Sequence, residues 1–255
     1  SINDVPAIGG AVAGQAIDDT STRTLFSAVT ITDPDVQTLA VSVKLDTAAK
    51  GVFTAASLTA SGFASAGGGE YTFSGTAAAA QAAIRKLVFD PANNRVTPGQ
   101  TETTTFTISV DDGVASAVTD NTTTVIATSV NDAPAIAGAA SGVAIDDNET
   151  TEPLSALTIS DADAPAQDLD ILVTLDDAAK GAFTSGSLTA AGFADAGGGK
   201  YTFTGTAAAA QAAIRQLVFK PTENHIAPGL TQTTVITVSA DDGVAAAVTN
   251  SATTV

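Results

Sequence analysis

The sequence has no cysteine, no methionine and no tryptophan, and it carries two tyrosines and one histidine in 255 residues. Without cysteine there are no disulfides, no thiolate nucleophile and no thiolate metal site. With His225 as the only histidine, Ser-His-Asp and Cys-His catalysis have no material. Paired carboxylates can hydrolyse a glycoside, but such a site needs an aromatic-lined cleft. The ten phenylalanines are spread along the chain and read as core. Basic residues are scarce too: 10 Lys and Arg stand against 27 Asp and Glu, a net charge of −17. A surface of that sign repels nucleic acid and anionic membranes. It suits divalent cations, which prefer hard oxygen ligands. No apolar run reaches the length of a membrane span and no signal peptide is recognisable, so direct membrane insertion is not expected.

What the sequence does have is a long internal repeat. Asn3-Asp4-Val5-Pro6-Ala7-Ile8 returns as Asn131-Asp132-Ala133-Pro134-Ala135-Ile136, and Asp33-Pro34-Asp35 returns as Asp161-Ala162-Asp163. Two extra residues enter near Ala164-Pro165-Ala166, in a loop where they cost least. The stretch 71–91 then returns almost letter for letter as 201–221, and Asp111-Asp112-Gly113 returns as Asp241-Asp242-Gly243. A period this long exceeds any solenoid unit, so each copy is expected to be a whole domain with its own core, 1–130 and 131–255. The link at Val130-Asn131-Asp132-Ala133-Pro134 is short and stiffened by proline, so the two are expected to stack end to end. Thr253-Thr254-Val255 matches Thr123-Thr124-Val125, after which the first copy runs on through Ile126 to Val130. The last strand of the second copy is therefore expected to be cut short, and the chain to be a piece of something longer.

Leu39-Ala-Val41-Ser-Val43-Lys-Leu45, Phe106-Thr-Ile108-Ser-Val110 and Tyr71-Thr-Phe73 alternate with period two, and Ile171, Val173 and Leu175 repeat the first of these. These are half-buried strands. Gly67-Gly68-Gly69 and Asp112-Gly113 are turn signals. One segment differs: an alanine-rich run over 77–87, opened by the cap Gly75-Thr76, predicts a short helix with Ile84 and Leu87 facing the core and Arg85 facing out. The expectation is all-β: two tandem Ig-like Greek-key sandwiches, each with one short alanine-rich helix.

The acid is organised as well. Each copy has an Asn-Asp pair at its start (Asn3 and Asp4; Asn131 and Asp132) and an Asp-x-Asp read as following the first long strand (Asp33 and Asp35; Asp161 and Asp163). Each also has an Asp-Asp-Gly hairpin (Asp111 and Asp112; Asp241 and Asp242) and a further acidic pair, Asp18 and Asp19 or Asp146 and Asp147. In an Ig-like sandwich the chain entry, the loop after the second strand and the last hairpin share one pole. Three of the signatures would then place five or six oxygens together, a count suited to Ca²⁺, while Mg²⁺ wants a tighter octahedron. Asp is also an ordinary turn residue, and Asp-Gly an ordinary hairpin signal. No EF-hand loop and no glycine-rich nonapeptide repeat is present. His225 is replaced by Arg95 in the first copy and reads as a surface loop residue. Lys50 and Lys180 recur in an Ala-Lys-Gly loop; a lysine–asparagine cross-link there would require a buried lysine.

Together Ser129-Val-Asn-Asp-Ala-Pro134, Leu157-Thr-Ile-Ser-Asp-Ala-Asp163, Ile108-Ser-Val-Asp-Asp-Gly113 and Tyr201-Thr-Phe-Thr-Gly-Thr206 resemble the cadherin-like and Ig-like tandem repeats of giant bacterial surface adhesins, including the secreted RTX-type adhesins. The resemblance covers essentially the whole chain. It implies extracellular extender repeats on a cell surface, serving adhesion or biofilm formation by projecting a distal binding module, with Ca²⁺ at the junctions. It implies that the partners are neighbouring repeats of the same chain, with host or surface ligands bound through other modules. Carried over, Asn131, Asp132, Asp161, Asp163 and one of Asp241 or Asp242 would form the internal junction site, completed from the exit end of the first copy. Asn3, Asp4, Asp33, Asp35 and Asp111 or Asp112 would form its equivalent with an upstream repeat. Asp18 or Asp19 stands where cadherin repeats often use a longer Glu. Two other readings remain open at this point: a repeat that itself binds a glycan or protein, and a lattice or fibre subunit pairing by its edge strands.

Overall fold

A computed structural model describes residues 2–255. The chain divides into two compact units, Ser1–Val130 and Asn131–Val255, each with its own hydrophobic core. It is mostly β, with sandwich-like sheets in both halves and a few short helices.

In the first unit the strand Leu39–Leu45 buries Leu39, Val41, Val43 and Leu45 and turns the residues between them outward. It pairs on one side with Glu70–Gly75, Val43 opposite Tyr71, and on the other with residues 106–111 of the long strand Thr101–Asp111, Val43 opposite Ile108. Residues 101–105 of that strand pair with Thr124–Thr128, which takes Gln15–Asp18 as a parallel neighbour. The facing layer is built from Arg23–Thr24, Val88–Pro91 and Gly51–Phe53, flanked by the pair Ala7–Gly9 and Thr30–Thr32. Neighbouring strands come from distant parts of the chain, the wiring of a Greek-key sandwich.

Between the layers lie Phe26, Phe53, Phe89 and Phe106, with Phe89 and Phe106 edge to face at 5.0 Å. Eight of the ten phenylalanines are buried; the other two, Phe73 and Phe203, pack on Phe63 and Phe193. Each tyrosine is buried with a use for its hydroxyl: Tyr71 accepts from the Phe53 N–H at 3.4 Å and Tyr201 from the Phe183 N–H at 3.3 Å.

The second unit repeats the plan. Asp168–Leu175 pairs with Lys200–Thr206 and with Val235–Asp241, and the latter pairs with Val248–Thr254. Leu154 and Ile236 take the core places of Phe26 and Phe106. The facing layer is reduced to Gly181–Phe183 with Phe219–Pro221, joined by a single bridge from Thr151.

Among the described residues each unit holds two α-helices rather than the one helix expected, besides a single 3-10 turn (Ala48–Lys50 and Ala178–Lys180). The unexpected one is α1 (Ala55–Ser61), matched in the second unit by Ser185–Ala191. Thr54 caps it by accepting from the Ser57 N–H, and Gly62 ends it in the left-handed region at φ 79°. Only the caps announce it, because seven residues are too few for a helical period to show. The alanine-rich helix is α2 (Ala77–Ile84), capped by Thr76, and its counterpart is Ala207–Ile214. It ends three residues earlier than the run suggests, since Lys86 and Leu87 close tighter turns onto Ala83 and Ile84. Ile84 and Leu87 are fully buried. Arg85 is half-buried rather than outward, because its Nε donates to the Val29 carbonyl at 2.7 Å. On the same helix Gln81 Oε1 accepts from the Ile31 N–H at 3.2 Å, so the helix ties down an edge strand.

Candidate functional site

Three of the four acidic signatures meet at the end of each unit where the chain enters. One detail of the expected order is corrected. Asp33 and Asp35 follow the three-residue strand Thr30–Thr32 and precede the first long strand, Leu39–Leu45; Asp161 and Asp163 are placed alike, between Thr158–Ser160 and Asp168–Leu175. The strand ahead of the motif is short because only one of its residues, Ile31 or Ile159, points into the core.

In the first unit Asn3 Nδ2 donates to Asp112 Oδ2 at 2.9 Å, and the Asp4 N–H donates to Asp35 Oδ2 at 2.8 Å. The Asp35 N–H donates to Asp33 Oδ1 at 2.9 Å. In the second unit Asn131 Nδ2 donates to Asp242 Oδ2 at 2.9 Å, the Asp132 N–H to Asp163 Oδ1 at 3.2 Å and the Asp163 N–H to Asp161 Oδ1 at 2.9 Å. The hairpin carboxylates divide the work. Asp112 and Asp242 reach the pole, and each also accepts two N–H groups of the turn that follows, Val114 and Ala115 or Val244 and Ala245. Asp111 and Asp241 instead close their own turns onto the Gly113 and Gly243 N–H.

The electrostatics of the pole follow from these bonds. The Asn3 side chain and the Val114 and Ala115 N–H groups hold the Asp112 carboxyl below the ordinary carboxylate range. For Asp242 burial pushes the other way, but Asn131 and the two turn N–H groups outweigh it and the value is lowered. Asp163 is the exception. It is 5% exposed, and burial raises it despite the Asp132 N–H, with Asp161, Asp132 and Asp242 adding like charge.

Sequence reasoning passed over one polar residue of the pole, Gln37 and its counterpart Gln167. In the first unit Gln37 Nε2 donates to both Asn3 Oδ1 and Asp33 Oδ2 at 3.3 Å. In the second unit Gln167 Nε2 reaches Asp163 Oδ2 at 3.2 Å, and the two atoms equivalent to Gln37's partners, Asn131 Oδ1 and Asp161 Oδ2, are buried with no hydrogen-bond partner. Gln37 stands four residues after the first Asp of Asp-x-Asp, whereas Gln167 stands six after it because the two-residue insertion falls between, and this shift hid the recurrence. Oxygen donors are the right chemistry for a hard cation, and the two orphaned oxygens fit one. Among the described residues no group of three or more His, Asp or Glu side chains is arranged to hold a metal ion. A cation at this pole would therefore draw on Asn131 and backbone oxygens as well as the carboxylates.

Asp18 and Asp19 do not join this pole. Asp18 lies opposite Thr128, at the other end of a sheet whose strand Thr101–Asp111 runs between the two ends. Ten strand steps put them roughly 30 Å from Asp111. Asp18 is exposed. Asp19, 3% exposed, accepts the Asn94 N–H at 2.9 Å and the Val130 N–H at 3.0 Å, pinning the exit of the unit. In the second unit Asp146 and Asp147 are exposed, and Asp147 accepts the Asn224 N–H at 2.8 Å.

His225 is exposed and its Nδ1 pairs with Gln232 Oε1 at 2.8 Å, while Arg95 in the first unit meets Glu102 at 2.7 Å. Lys50 bonds Asp46 and the Thr103 carbonyl, both at 2.7 Å. Lys180 bonds Asp176 at 2.6 Å and the Thr233 carbonyl at 2.9 Å, so each lysine clamps a loop and faces a carboxylate rather than an asparagine.

No protein-family model matches the sequence, and none of the curated proteins does. Among solved structures, the chain is similar to the extracellular cadherin domains 1–5 of protocadherin gamma B2, at 15% identity and a TM-score of 0.38, covering 98% of this chain and 39% of that one. It is also similar to the D00–D0 domain of intimin, at 11% identity and a TM-score of 0.25, covering 98% of both. A third likeness is to the fibronectin(III)-like modules of Clostridium thermocellum CbhA, at 11% identity and a TM-score of 0.24, covering 97% of this chain and 91% of that one. The chain thus spans about two-fifths of the protocadherin chain. No residue role passes from these proteins to this one.

Proposed function

We propose that this chain is a pair of extender repeats from an extracellular, surface-attached adhesin or filament, with no catalytic role, and that the entry pole of each unit binds Ca²⁺. In this reading the repeats are spacers that project a distal binding module. The ion fixes the linker that carries Asn131 and Asp132, turning a hinged pair into a rod.

The observation that carries the reading is the state of the second pole. Asn131 Oδ1 and Asp161 Oδ2 are buried without partners beside the Asp163 carboxyl, itself raised by burial and like charge. A cation would give these oxygens a partner and offset the like charge around Asp163. The strong negative charge of the whole chain favours cation uptake in the same direction.

Extracellular Ca²⁺ modules bind with dissociation constants of about 10⁻⁴ to 10⁻³ M, so the effect on either core should be small and the effect on the linker large. Small-angle scattering in EDTA and in about 5 mM Ca²⁺ tests this. Ca²⁺ should narrow the distance distribution to one elongated form, and Asp161→Ala with Asp163→Ala should abolish the change. Identical curves with no heat of binding would leave the aspartates as turn residues only.

A further inference from the structure

Asparagine followed two residues later by serine or threonine, with no proline between, is the acceptor pattern for an N-linked glycan when it lies on an accessible surface. Two of the eight asparagines carry it, in Asn121-Thr122-Thr123 and in Asn148-Glu149-Thr150. The fold treats the two in opposite ways.

At the first, Asn121 and Thr122 are exposed but Thr123 is 0% exposed, and its carbonyl accepts the Phe106 N–H at 3.0 Å. Asp120 closes a local turn over the middle residue, accepting from the Thr122 N–H at 2.9 Å and from its hydroxyl at 3.4 Å. The hydroxyl that a transferase must read is therefore inside the sandwich. Reaching it means pulling the strand that follows, Thr124–Thr128, away from Thr101–Asp111.

The second lies wholly outside. Asp146 through Thr150 are all exposed, and the Glu149 N–H donates to the Asp146 carbonyl at 3.0 Å, which puts Asn148 at the third position of a β-turn. Among the described residues neither the Asn148 nor the Thr150 side chain has a partner. The backbone is tied down directly afterwards, where Thr151 and Phe219 exchange bonds of 3.0 and 2.8 Å. The same turn recurs in the first unit: the Ser21 N–H donates to the Asp18 carbonyl at 3.1 Å, and Thr20, Ser21 and Thr22 are exposed. Thr20 stands there in the place of Asn148, so the first unit offers no acceptor at its own turn.

We propose that Asn148 is an acceptor for an N-linked oligosaccharide, delivered from a polyprenyl diphosphate donor by a transferase met outside the cytoplasm. In the transfer Asn148 Nδ2 attacks C1 of the first sugar. The N–C1 bond forms as the C1–O bond to the diphosphate breaks, the bonding pair leaves on the diphosphate oxygen, and one Nδ2 proton passes to a carboxylate of the transferase. An amide nitrogen is a poor nucleophile because its lone pair is delocalised into the carbonyl. The transferase must grip and turn the amide, and an exposed side chain with no partner permits this. The Thr150 hydroxyl gives the second grip. Asp146, two residues ahead of Asn148, offers a carboxylate to the cationic subsite by which bacterial transferases extend the pattern, whereas Thr119 holds that place ahead of Asn121. The extracellular setting proposed above suits this site, but the transfer does not depend on a cation at the entry pole.

The test incubates the folded 255-residue chain with a purified single-subunit bacterial oligosaccharyltransferase and an undecaprenyl-diphosphate oligosaccharide, read by intact mass and by glycopeptide sequencing. One glycan per chain is expected, on Asn148, with Asn121 unmodified. Asn148→Gln should abolish incorporation. Thr150→Ala should lower its rate at least about ten-fold, the weight of one hydrogen bond, and Thr150→Ser, which keeps the hydroxyl, should retain it. Asp146→Ala should slow it as well. A synthetic peptide of residues 143–152 is the unfolded control and should be modified at a rate close to that of the folded chain. Modification of the peptide but not of the folded chain overturns the proposal, because the turn is then closed to the enzyme. Failure of both overturns it, because the pattern is then not read. A glycan on Asn121 of the folded chain overturns it too, since burial of the third residue would then not decide between the two.

Discussion

Asp163→Asn should make the second unit more stable without Ca²⁺ and indifferent to it. The substitution keeps the shape of the side chain. The amide oxygen still accepts from the Asp132 N–H, and Gln167, which now donates to Oδ2 at 3.2 Å, can turn its own amide to accept. What is lost is a buried charge among Asp161, Asp132 and Asp242. At an effective dielectric of about 20, one like charge about 8 Å away costs about 2 kcal/mol. Screening and the retained N–H bond reduce the net relief to about 1 kcal/mol, or about 4 °C in the melting point of a domain this size. Ca²⁺ at ten times its dissociation constant adds about 1.4 kcal/mol to the unsubstituted unit.

Calorimetry should therefore find the variant melting higher in EDTA and the order reversed in about 10 mM Ca²⁺. The pH dependence has a definite sign. Because the folded value of Asp163 is raised, the folded state holds more protons than the unfolded one between the ordinary carboxylate value and the raised value. The penalty is full above that window and fades as pH falls through it, so the variant's advantage in EDTA should fade there too. Asp242, lowered in the fold, works oppositely: its stabilisation is present above the ordinary carboxylate value and is lost as pH falls through its lowered one. A variant that melts lower in EDTA, or gains as much from Ca²⁺ as the parent, would refute the reasoning.

Two further predictions follow from packing. Asp19→Ala should cost the first unit about 2–4 kcal/mol in urea unfolding, since it strands two N–H groups at a buried site, while the exposed Asp147→Ala should cost the second under about 1 kcal/mol; equal losses would contradict the asymmetry. Gly181→Ala should cost about 3 kcal/mol, because its Cβ would sit 2.5 Å from the buried Phe219 ring and 2.6 Å from the Lys220 carbonyl oxygen, and a neutral result would show that the layer can shift.

Much of the fold was legible because period-two alternation records which face of a strand is buried, and Leu39–Leu45 is such a record. The helix Ala55–Ser61 was not, since its seven residues, many of them Ser and Thr, carry no apolar period and only the caps mark it. Arg85 was misread because outward placement was inferred from charge. Its guanidinium has a carbonyl to serve, Val29, brought from 56 residues away. At the pole, the sequence supplied the aspartates but gave no way to tell turn residue from pole residue within Asp111-Asp112 or Asp241-Asp242. Successive residues at the end of a strand point to opposite faces, so which one reaches Asn3 or Asn131 depends on the register of the hairpin.

By itself, then, the sequence determined the repeat, the all-β class, the phenylalanine core and the exclusion of thiol and histidine chemistry. These follow from composition and from patterns a few residues long. Only the tertiary structure decided that Asn131, Asp132, Asp161, Asp163 and Asp242 share one pole while Asp18 and Asp19 lie at the opposite end of their own unit. It also decided that Gln37 satisfies two oxygens whose equivalents in the second unit stay bare. Each of these depends on groups more than thirty residues apart, or on a hydrogen-bond vector of a few tenths of an ångström, and no local pattern encodes either.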